Sequence, residues 1–117
     1  MAHSRPVPQI PWGWRSMWVI AMFDLPTYTP QERKTYARFR KDLLEDGFTM
    51  MQYSVYSRHC ASFENADVHS ERMGKRVPAS GEVCFLCVTD RQFGRIRVYV
   101  GKKRRAMPPA PSQMELF

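Results

Sequence analysis

A single carboxylate at the end of an apolar run is the residue of this sequence best placed for chemistry. The stretch from Met17 to Pro26 is apolar at odd and even positions alike, apart from Asp24. Such a run predicts a strand covered on both faces, and a proline ends a strand. We therefore expect Asp24 where a buried strand meets solvent. It is either a functional carboxylate or a residue that only hydrogen-bonds the backbone of the following turn.

The three cysteines are candidate metal ligands, but their spacing argues against a metal site. Cys84 and Cys87 form a C-x-x-C inside an apparent strand, where side chains three positions apart point to opposite faces. They are therefore expected to be small core residues rather than ligands of one metal. With Cys60 they make an odd number in a chain without a secretory leader, which favours a reducing cytoplasm.

Length and charge limit the classes of function. The 117 residues predict one domain, and 18 Lys and Arg against 11 Asp and Glu give a formal net charge of +7. Such an excess favours a polyanionic partner such as nucleic acid. The sequence contains no P-loop and no Rossmann glycine fingerprint, so a nucleotide-binding fold of either kind is not indicated.

The segment after Pro26 predicts a helix with one basic face. Thr29 is the expected N-cap, Pro30 the first helical residue and Glu32 the closing member of a capping box, while Gly47 supplies the stop. One side carries the apolar residues Tyr36, Phe39, Leu43 and Leu44; the other carries Arg33, Lys34, Arg38 and Lys41. The basic side is either merely solvated or a surface for phosphates.

Further elements follow from alternation and turn residues. Strand-favouring residues from Phe48 to Cys60 change phase near Gln52, which predicts a bulge or break within Met51 to Ser54. A second run that is apolar on both faces is expected beside the first strand. The remaining predicted elements are a helix over Ser62–Lys75, that second run over Glu82–Thr89, a capped turn over Thr89–Gly94 and a strand over Ile96–Val100.

Both termini are predicted to lie outside the folded domain, which spans residues 16–105. Residues 1–15 contain three prolines and form a flexible leader, and residues 106–117 form a proline-rich tail. The tail ends in an apolar segment that we interpret as a docking peptide for a partner. Alternatives are that it folds back on its own sheet, or that it resembles the short peptides bound by the bacterial sliding clamp. The docking residues are Met114, Leu116 and Phe117.

The predicted order of strand, helix, strand, helix, strand and strand indicates an α+β sandwich of ferredoxin-like type. Specific motifs narrow this to a family. The sequence resembles the small core CRISPR-associated protein of spacer acquisition, the second member of the adaptation pair, in the branch found with single-effector, Cas9-type systems. The resemblance covers roughly residues 16 to 105 and lies in Met22–Pro26, Glu32–Lys34, Gly47–Phe48, Gln52, Ser54–Arg58 and Thr89–Phe93.

This resemblance implies a homodimer in which the first strands lie near the two-fold axis. Each protomer would bring its own Asp24, and the pair with water would hold one Mg²⁺ for phosphodiester cleavage of RNA or DNA. His59 or Tyr56 would be candidates to assist. The open strand edges of so small a domain also favour a dimer, with an additional C-terminal strand near Ile96 to Val100 exchanged between protomers.

The resemblance equally implies a non-catalytic role, which we favour. In this role the dimer bridges two dimers of the CRISPR integrase subunit and grips the double-stranded DNA to be inserted as a spacer. The contacts to phosphates would come from the basic helix face together with Arg58, Lys102, Lys103, Arg104 and Arg105. An RNA-recognition module is a third class, but it reads bases with exposed aromatics on its sheet, and here Phe85 stands alone in the corresponding strand.

Overall fold

A computed structural model describes residues 16–106, which form a four-stranded sheet, three helices and a separate two-stranded hairpin. Five elements come first: β1 Met17–Asp24, α1 Pro30–Glu45, β2 Thr49–Gln52, β3 Val55–Cys60 and α2 Phe63–Gly74. Four follow: β4 Glu82–Thr89, α3 Asp90–Gly94, β5 Val98–Val100 and β6 Lys103–Arg105. Within residues 16–106, no helix has both the length and the hydropathy that crossing a bilayer requires.

The large sheet has the strand order β2-β3-β1-β4, with every neighbouring pair antiparallel. This order and the two helices that connect its strands confirm the predicted ferredoxin-like α+β fold. β1 is central, because it pairs with β3 on one side and with β4 on the other along most of its length. The expected central strand at Met17–Asp24 is therefore confirmed.

Helix α1 starts and stops where its sequence predicts. The Thr29 side chain accepts a hydrogen bond from the backbone N–H of Glu32 at 3.1 Å, and Glu32 Oε1 accepts one from the Thr29 N–H at 2.8 Å. These two bonds satisfy donors that the first helical turn leaves unpaired. At the other end Gly47 has a φ of 96°, which a glycine adopts without steric cost. Phe39 and Leu43 are buried against the sheet.

The predicted break between Met51 and Ser54 is confirmed. The β2–β3 pairing shifts register between Met50 and Gln52, and Tyr53 and Ser54 form the turn of the hairpin. Ser54 has a φ of 62°, which is uncommon for a residue other than glycine. The second helix and the capped turn after β4 are also confirmed, with Ser62 and Thr89 as their N-caps.

The two faces of the sheet are covered differently. On the helix-side face, Met17, Val19, Ala21 and Phe23 of β1 belong to a buried core completed by α1 and α2. On the opposite face, here called the open face, Trp18 and Ile20 pack with Phe93 of α3. Beyond that cluster the open face retains exposed apolar side chains, among them Met22 and Leu86.

Three expectations are corrected. β4 pairs beside β1 as predicted, but it forms an edge of the sheet and is exposed at alternate residues, so it is not covered on both faces. Cys84 is accordingly exposed rather than part of the core, whereas Cys87 packs against the helix-side core. Leu44 is exposed because it falls outside the buried stripe of α1. The leader and the docking residues Met114, Leu116 and Phe117 lie outside the described residues.

Candidate functional site

Asp24 is the exposed last residue of β1. It is paired in register with Glu82, the first residue of β4, which is also exposed. Residues directly opposite one another in an antiparallel pair point to the same face, with Cβ atoms about 5 Å apart. The structure therefore adds a second carboxylate to the one that the sequence singles out.

The close approach of Gly81 fixes the backbone beside these carboxylates. Gly81 has a φ of 97°, and a Cβ at this position would lie 2.6 Å from the carbonyl oxygen of Asp24 and 2.7 Å from Leu25 Cδ2. No ordinary side chain fits at such distances without moving the backbone. The segment before β4 is therefore packed directly against the end of β1, which holds the two carboxylates in their relative position.

The carboxylates of Asp24 and Glu82 are the kind of ligand that a hard cation prefers, but one chain provides too few of them. Carboxylate oxygens are the ligands that Mg²⁺ prefers, and it requires about six oxygens in total. The described residues contain no cluster of three or more His, Cys, Asp or Glu able to hold a metal. Asp24 and Glu82 would therefore hold Mg²⁺ only together with water and the carboxylates of a second copy, which agrees with the symmetric site implied by the resemblance.

The basic face of α1 lies along a groove. Lys34 and Arg38 line this groove from α1 and Arg76 lines it from the segment after α2, with Phe39 at its base; its volume is about 530 Å³. Within residues 16–106, no carboxylate lies within 4 Å of Lys34, Arg38 or Lys41, while Arg76 reaches Asp42 at 3.5 Å. The groove is therefore a cationic surface whose charges α1 leaves largely uncompensated.

A second groove continues the first toward the end of β1. It shares Gln31, Thr35 and Pro78 with the basic groove and ends against Leu25 and Pro26, directly after Asp24. The two grooves thus form one depression on the helix side, between α1 and the segment that precedes β4, whereas the alternation of β1 places the Asp24 side chain on the open face with Trp18 and Ile20. A nucleic-acid backbone lying along α1 would therefore reach Leu25 and Pro26 from the face opposite to the Asp24 carboxylate.

Two arginines that the sequence predicts to contact phosphates donate hydrogen bonds within the protein. Arg33 donates to the carbonyls of Thr27 and Tyr28 at 3.3 and 3.0 Å and so braces the turn after β1. Arg58 donates from Nε to the Asp46 carbonyl at the end of α1 and from Nη1 to the His59 carbonyl, both at 2.7 Å. These bonds give both arginines a structural role, and their contact with nucleic acid stays a prediction.

The C-terminal basic cluster lies on the separate hairpin. Lys102 lies in its turn after Gly101, and Lys103, Arg104 and Arg105 form β6, paired with β5; all four cationic residues are exposed. The strand predicted over Ile96–Val100 is therefore shorter than expected at its start, and its partner within the chain is the basic segment itself. Exchange of this strand between protomers stays a prediction.

Sequence reasoning missed three features of this region. Glu82 could have been found by assuming that the two eight-residue apolar runs pair antiparallel and end to end, since this places the last residue of one opposite the first of the other. No sequence pattern indicated Arg76 as a site residue, because only the packing of the segment after α2 brings it beside α1. The stacking of Tyr36 on Tyr53 joins a helix to a turn, which local spacing does not reveal.

Comparison with known proteins identifies the family. The family model described as CRISPR associated protein Cas2 matches residues 17–96. The chain is 76% identical over 101 residues to a protein of Parvibaculum lavamentivorans named CRISPR-associated endoribonuclease Cas2, with 86% of this chain and all of that protein covered. A protein of the same name from Flavobacterium psychrophilum is 46% identical over 89% of this chain and 90% of its own length. The family match and these identities confirm the resemblance carried by the sequence motifs, and the chain belongs to the CRISPR-associated Cas2 family.

Proposed function

We propose that this chain acts in CRISPR adaptation as a dimeric scaffold that bridges integrase dimers and binds the double-stranded DNA inserted as a new spacer. The observation that supports the proposal is that β4 is an exposed apolar edge strand. Both of its faces are largely apolar in sequence, yet in one chain it is an edge strand with Leu86 48% exposed. An apolar edge of this kind is a template for pairing with another chain.

A second copy of the chain would cover both the edge of β4 and the open face. The exposed apolar residues Met22 and Leu86 lie on that face, next to the buried cluster formed by Trp18, Ile20 and Phe93. Face-to-face contact would bury these side chains and bring the Asp24 ends of two protomers into one assembly. The helix-side face, with its basic groove, would remain accessible on each protomer.

The uncompensated cations on the basic face of α1 support DNA as the ligand. Lys34, Arg38 and Lys41 recur along α1 at helical spacing, so they rise by about 6 and 4.5 Å along the helix axis. Two-fold symmetry would repeat this row of cations on the second protomer. Such contacts fix position and give affinity without reading sequence.

The second candidate is a metal-dependent endonuclease acting on RNA or DNA. Two observations favour it: the relatives are named endoribonucleases, and Asp24 lies exposed opposite Glu82 at the end of β1. Bound Mg²⁺ would polarise a phosphate and activate water. In this alternative Asp24 and Glu82 would hold the cation beside the phosphate that is cleaved.

One experiment separates scaffold from catalyst. The chain and the integrase subunit would be co-purified, and half-site integration of a DNA fragment would be measured with the parent and with Asp24→Ala. The scaffold role predicts that Asp24→Ala complexes form and integrate at nearly the parent rate, because the integrase performs the chemistry. Omission of the chain provides the negative control.

Loss of integration by an Asp24→Ala complex that still assembles and binds DNA would reject the purely structural role. Failure of the parent to capture the integrase at all would reject the bridging role. The Asp24→Asn cleavage assay below tests the endonuclease directly and without integrase, so the two candidates are decided independently.

A further inference from the structure

The turn between β2 and β3 presents an exposed aromatic ring near the end of β1 that carries Asp24. Tyr53 is 69% exposed, and one side of its ring stacks on Tyr36 of α1, with centroids 5.6 Å apart and planes inclined by 14°. Large exposed side chains normally lose conformational freedom on binding. Here the ring is already oriented by its neighbour and offers its second face to solvent.

Three further contacts hold this turn in place. The hydroxyl groups of Tyr36 and Ser54 are hydrogen-bonded at 2.9 Å, and the Ser54 carbonyl accepts the Phe23 N–H at 3.0 Å. Ser54 keeps a φ of 62°, a conformation that persists only where surrounding contacts enforce it and that clusters at functional sites. The Tyr36 hydroxyl is protonated at neutral pH, as in any ordinary tyrosine, and burial raises its pKa further, so it can donate to Ser54.

The turn lies beside the end of β1, and Tyr36 faces the side of α1 opposite to Lys34 and Arg38, because these residues are about 160–200° apart around the helix. Ser54 bonds to Phe23, the residue immediately before Asp24, so the turn flanks the carboxylate end of β1. Tyr36 has Arg33 and Arg40 as its neighbours three and four positions away on α1, and Arg40 is exposed. Tyr36 packs against the helix-side core. The tyrosine pair therefore lies away from the open face and stays accessible in the proposed dimer.

We propose that Tyr53 is a stacking platform for an unpaired base of bound nucleic acid that reaches the Asp24 end of β1, in either a single strand or the frayed end of a duplex. This rests on the proposed nucleic-acid binding. Every base has a π face, so an exposed ring beside cations binds unpaired nucleotides with little sequence preference. A base within a duplex is already stacked on its neighbours and gains nothing from such a ring.

The test compares ligands that differ only in unpaired bases. Fluorescence anisotropy at fixed salt would give the Kd for single-stranded DNA, single-stranded RNA, a blunt duplex and the same duplex with single-stranded ends. We expect Tyr53→Ala to weaken the three ligands with unpaired bases about tenfold or more and to leave the blunt duplex unchanged. Tyr53→Phe should retain nearly all the affinity, because the ring is kept.

Phe63→Ala provides the matched control. Phe63 is a similarly exposed aromatic, 57% against 69% for Tyr53, and it lies on α2, outside both grooves. It should change none of the affinities. As a direct signature of stacking, 2-aminopurine placed in the unpaired segment should be quenched on binding to the parent and to Tyr53→Phe but not to Tyr53→Ala. Melting temperatures of all variants would confirm intact folding.

Several results would overturn the inference. Equal weakening of blunt duplex and single strands by Tyr53→Ala would mean a contact to the backbone. Equal behaviour of Tyr53→Phe and Tyr53→Ala would mean that the hydroxyl, not the ring, is used. Unchanged nucleic-acid affinity with reduced integrase capture would assign the ring to a protein contact. Failure of the parent to bind the blunt duplex would instead refute the proposed function itself, so the two failures are distinguishable.

Discussion

At the scale of single residues, Asp24 is exposed, so its charge can be removed without disturbing the core. We expect Asp24→Asn to abolish any Mg²⁺-stimulated cleavage of RNA or DNA while the melting temperature and the DNA affinity stay at parent values. Asparagine keeps the shape and one acceptor oxygen but is a poor ligand for a hard cation. Gel assays with and without Mg²⁺, on protein freed of contaminating nuclease, provide the measurement. Unchanged cleavage by Asp24→Asn would assign Asp24 to the turn.

His59 predicts a pH dependence of stability. Burial lowers its pKa below the ordinary 6.5, with Asp90 opposing this effect and Arg58 adding to it. Its Nε2 has no hydrogen-bond partner among the described residues, and its ring contacts Trp18 edge-on at 5.2 Å. The unfolded chain therefore binds a proton at a higher pH than the folded chain does. This contribution to stability is complete above about pH 6.5 and is lost as the pH falls toward the lower folded pKa.

His59→Phe should remove this dependence while keeping the ring contact with Trp18. Urea denaturation between about pH 7.5 and pH 5 would show a smaller fall in the free energy of unfolding for the variant than for the parent. Titration of carboxylates is common to both proteins and cancels in the comparison. Parallel curves over the whole range would contradict the assignment of this effect to His59.

At the scale of elements, the contact between the segment before β4 and the end of β1 depends on Gly81. Gly81→Ala should cost about 1–3 kcal/mol, since a φ of 97° is strained for alanine and its Cβ would overlap the Asp24 carbonyl. Gly74→Ala is the matched control: it lies in the last turn of α2 with nothing within 4 Å of the added Cβ. It should be neutral or stabilising by up to about 1 kcal/mol.

Denaturation midpoints of the two variants at equal m-values would measure the difference. Gly81→Ala also tests the positioning of Asp24. Because it displaces the Asp24 carbonyl, it should alter cleavage or metal affinity more than Gly74→Ala does. Equal stability of Gly81→Ala and Gly74→Ala would mean that the backbone at this junction yields easily and does not fix the carboxylates.

At the scale of the whole molecule, the open face and the edge of β4 predict a homodimer. Leu86→Glu should shift the protein toward monomer at micromolar concentration, because it places a charge in the apolar contact. Leu44→Glu is a suitable control, since Leu44 is comparably exposed (40% against 48%) but lies on α1. Light scattering would give the masses. A monomeric parent, or equal effects of both variants, would contradict this interface.

The distribution of positive charge predicts affinity that is mainly electrostatic. Replacement of Lys102, Lys103, Arg104 and Arg105 by alanine should weaken DNA binding evenly across sequences. It should also reduce the slope of log K against log salt by about 0.9 for each phosphate that the variant no longer neutralises. The corresponding triple alanine variant of Lys34, Arg38 and Lys41 measures the contribution of the basic face of α1. Whichever variant keeps the parent slope identifies a surface that the DNA does not touch.

The sequence by itself determined the elements whose causes are local. The cap and stop of α1, the break before Ser54 and the apolar run of β1 each depend on residues within a few positions of one another. The family motifs are equally local in kind and indicated the family. The order of the predicted elements indicated the fold, and the apolar run that ends before Pro26 placed Asp24 at the exposed end of a buried strand. These features needed no knowledge of which strands pair.

The tertiary structure alone decided everything that depends on pairing between distant segments. Antiparallel pairing of β1 with β4 placed Glu82 opposite Asp24 and left β4 at an edge, which exposed Leu86 and Cys84. The packing of β3 beside the end of α1 engaged Arg58 with the Asp46 carbonyl. An apolar pattern indicates that a strand requires cover, but not which neighbour supplies it, because burial is a property of the assembled sheet rather than of the segment.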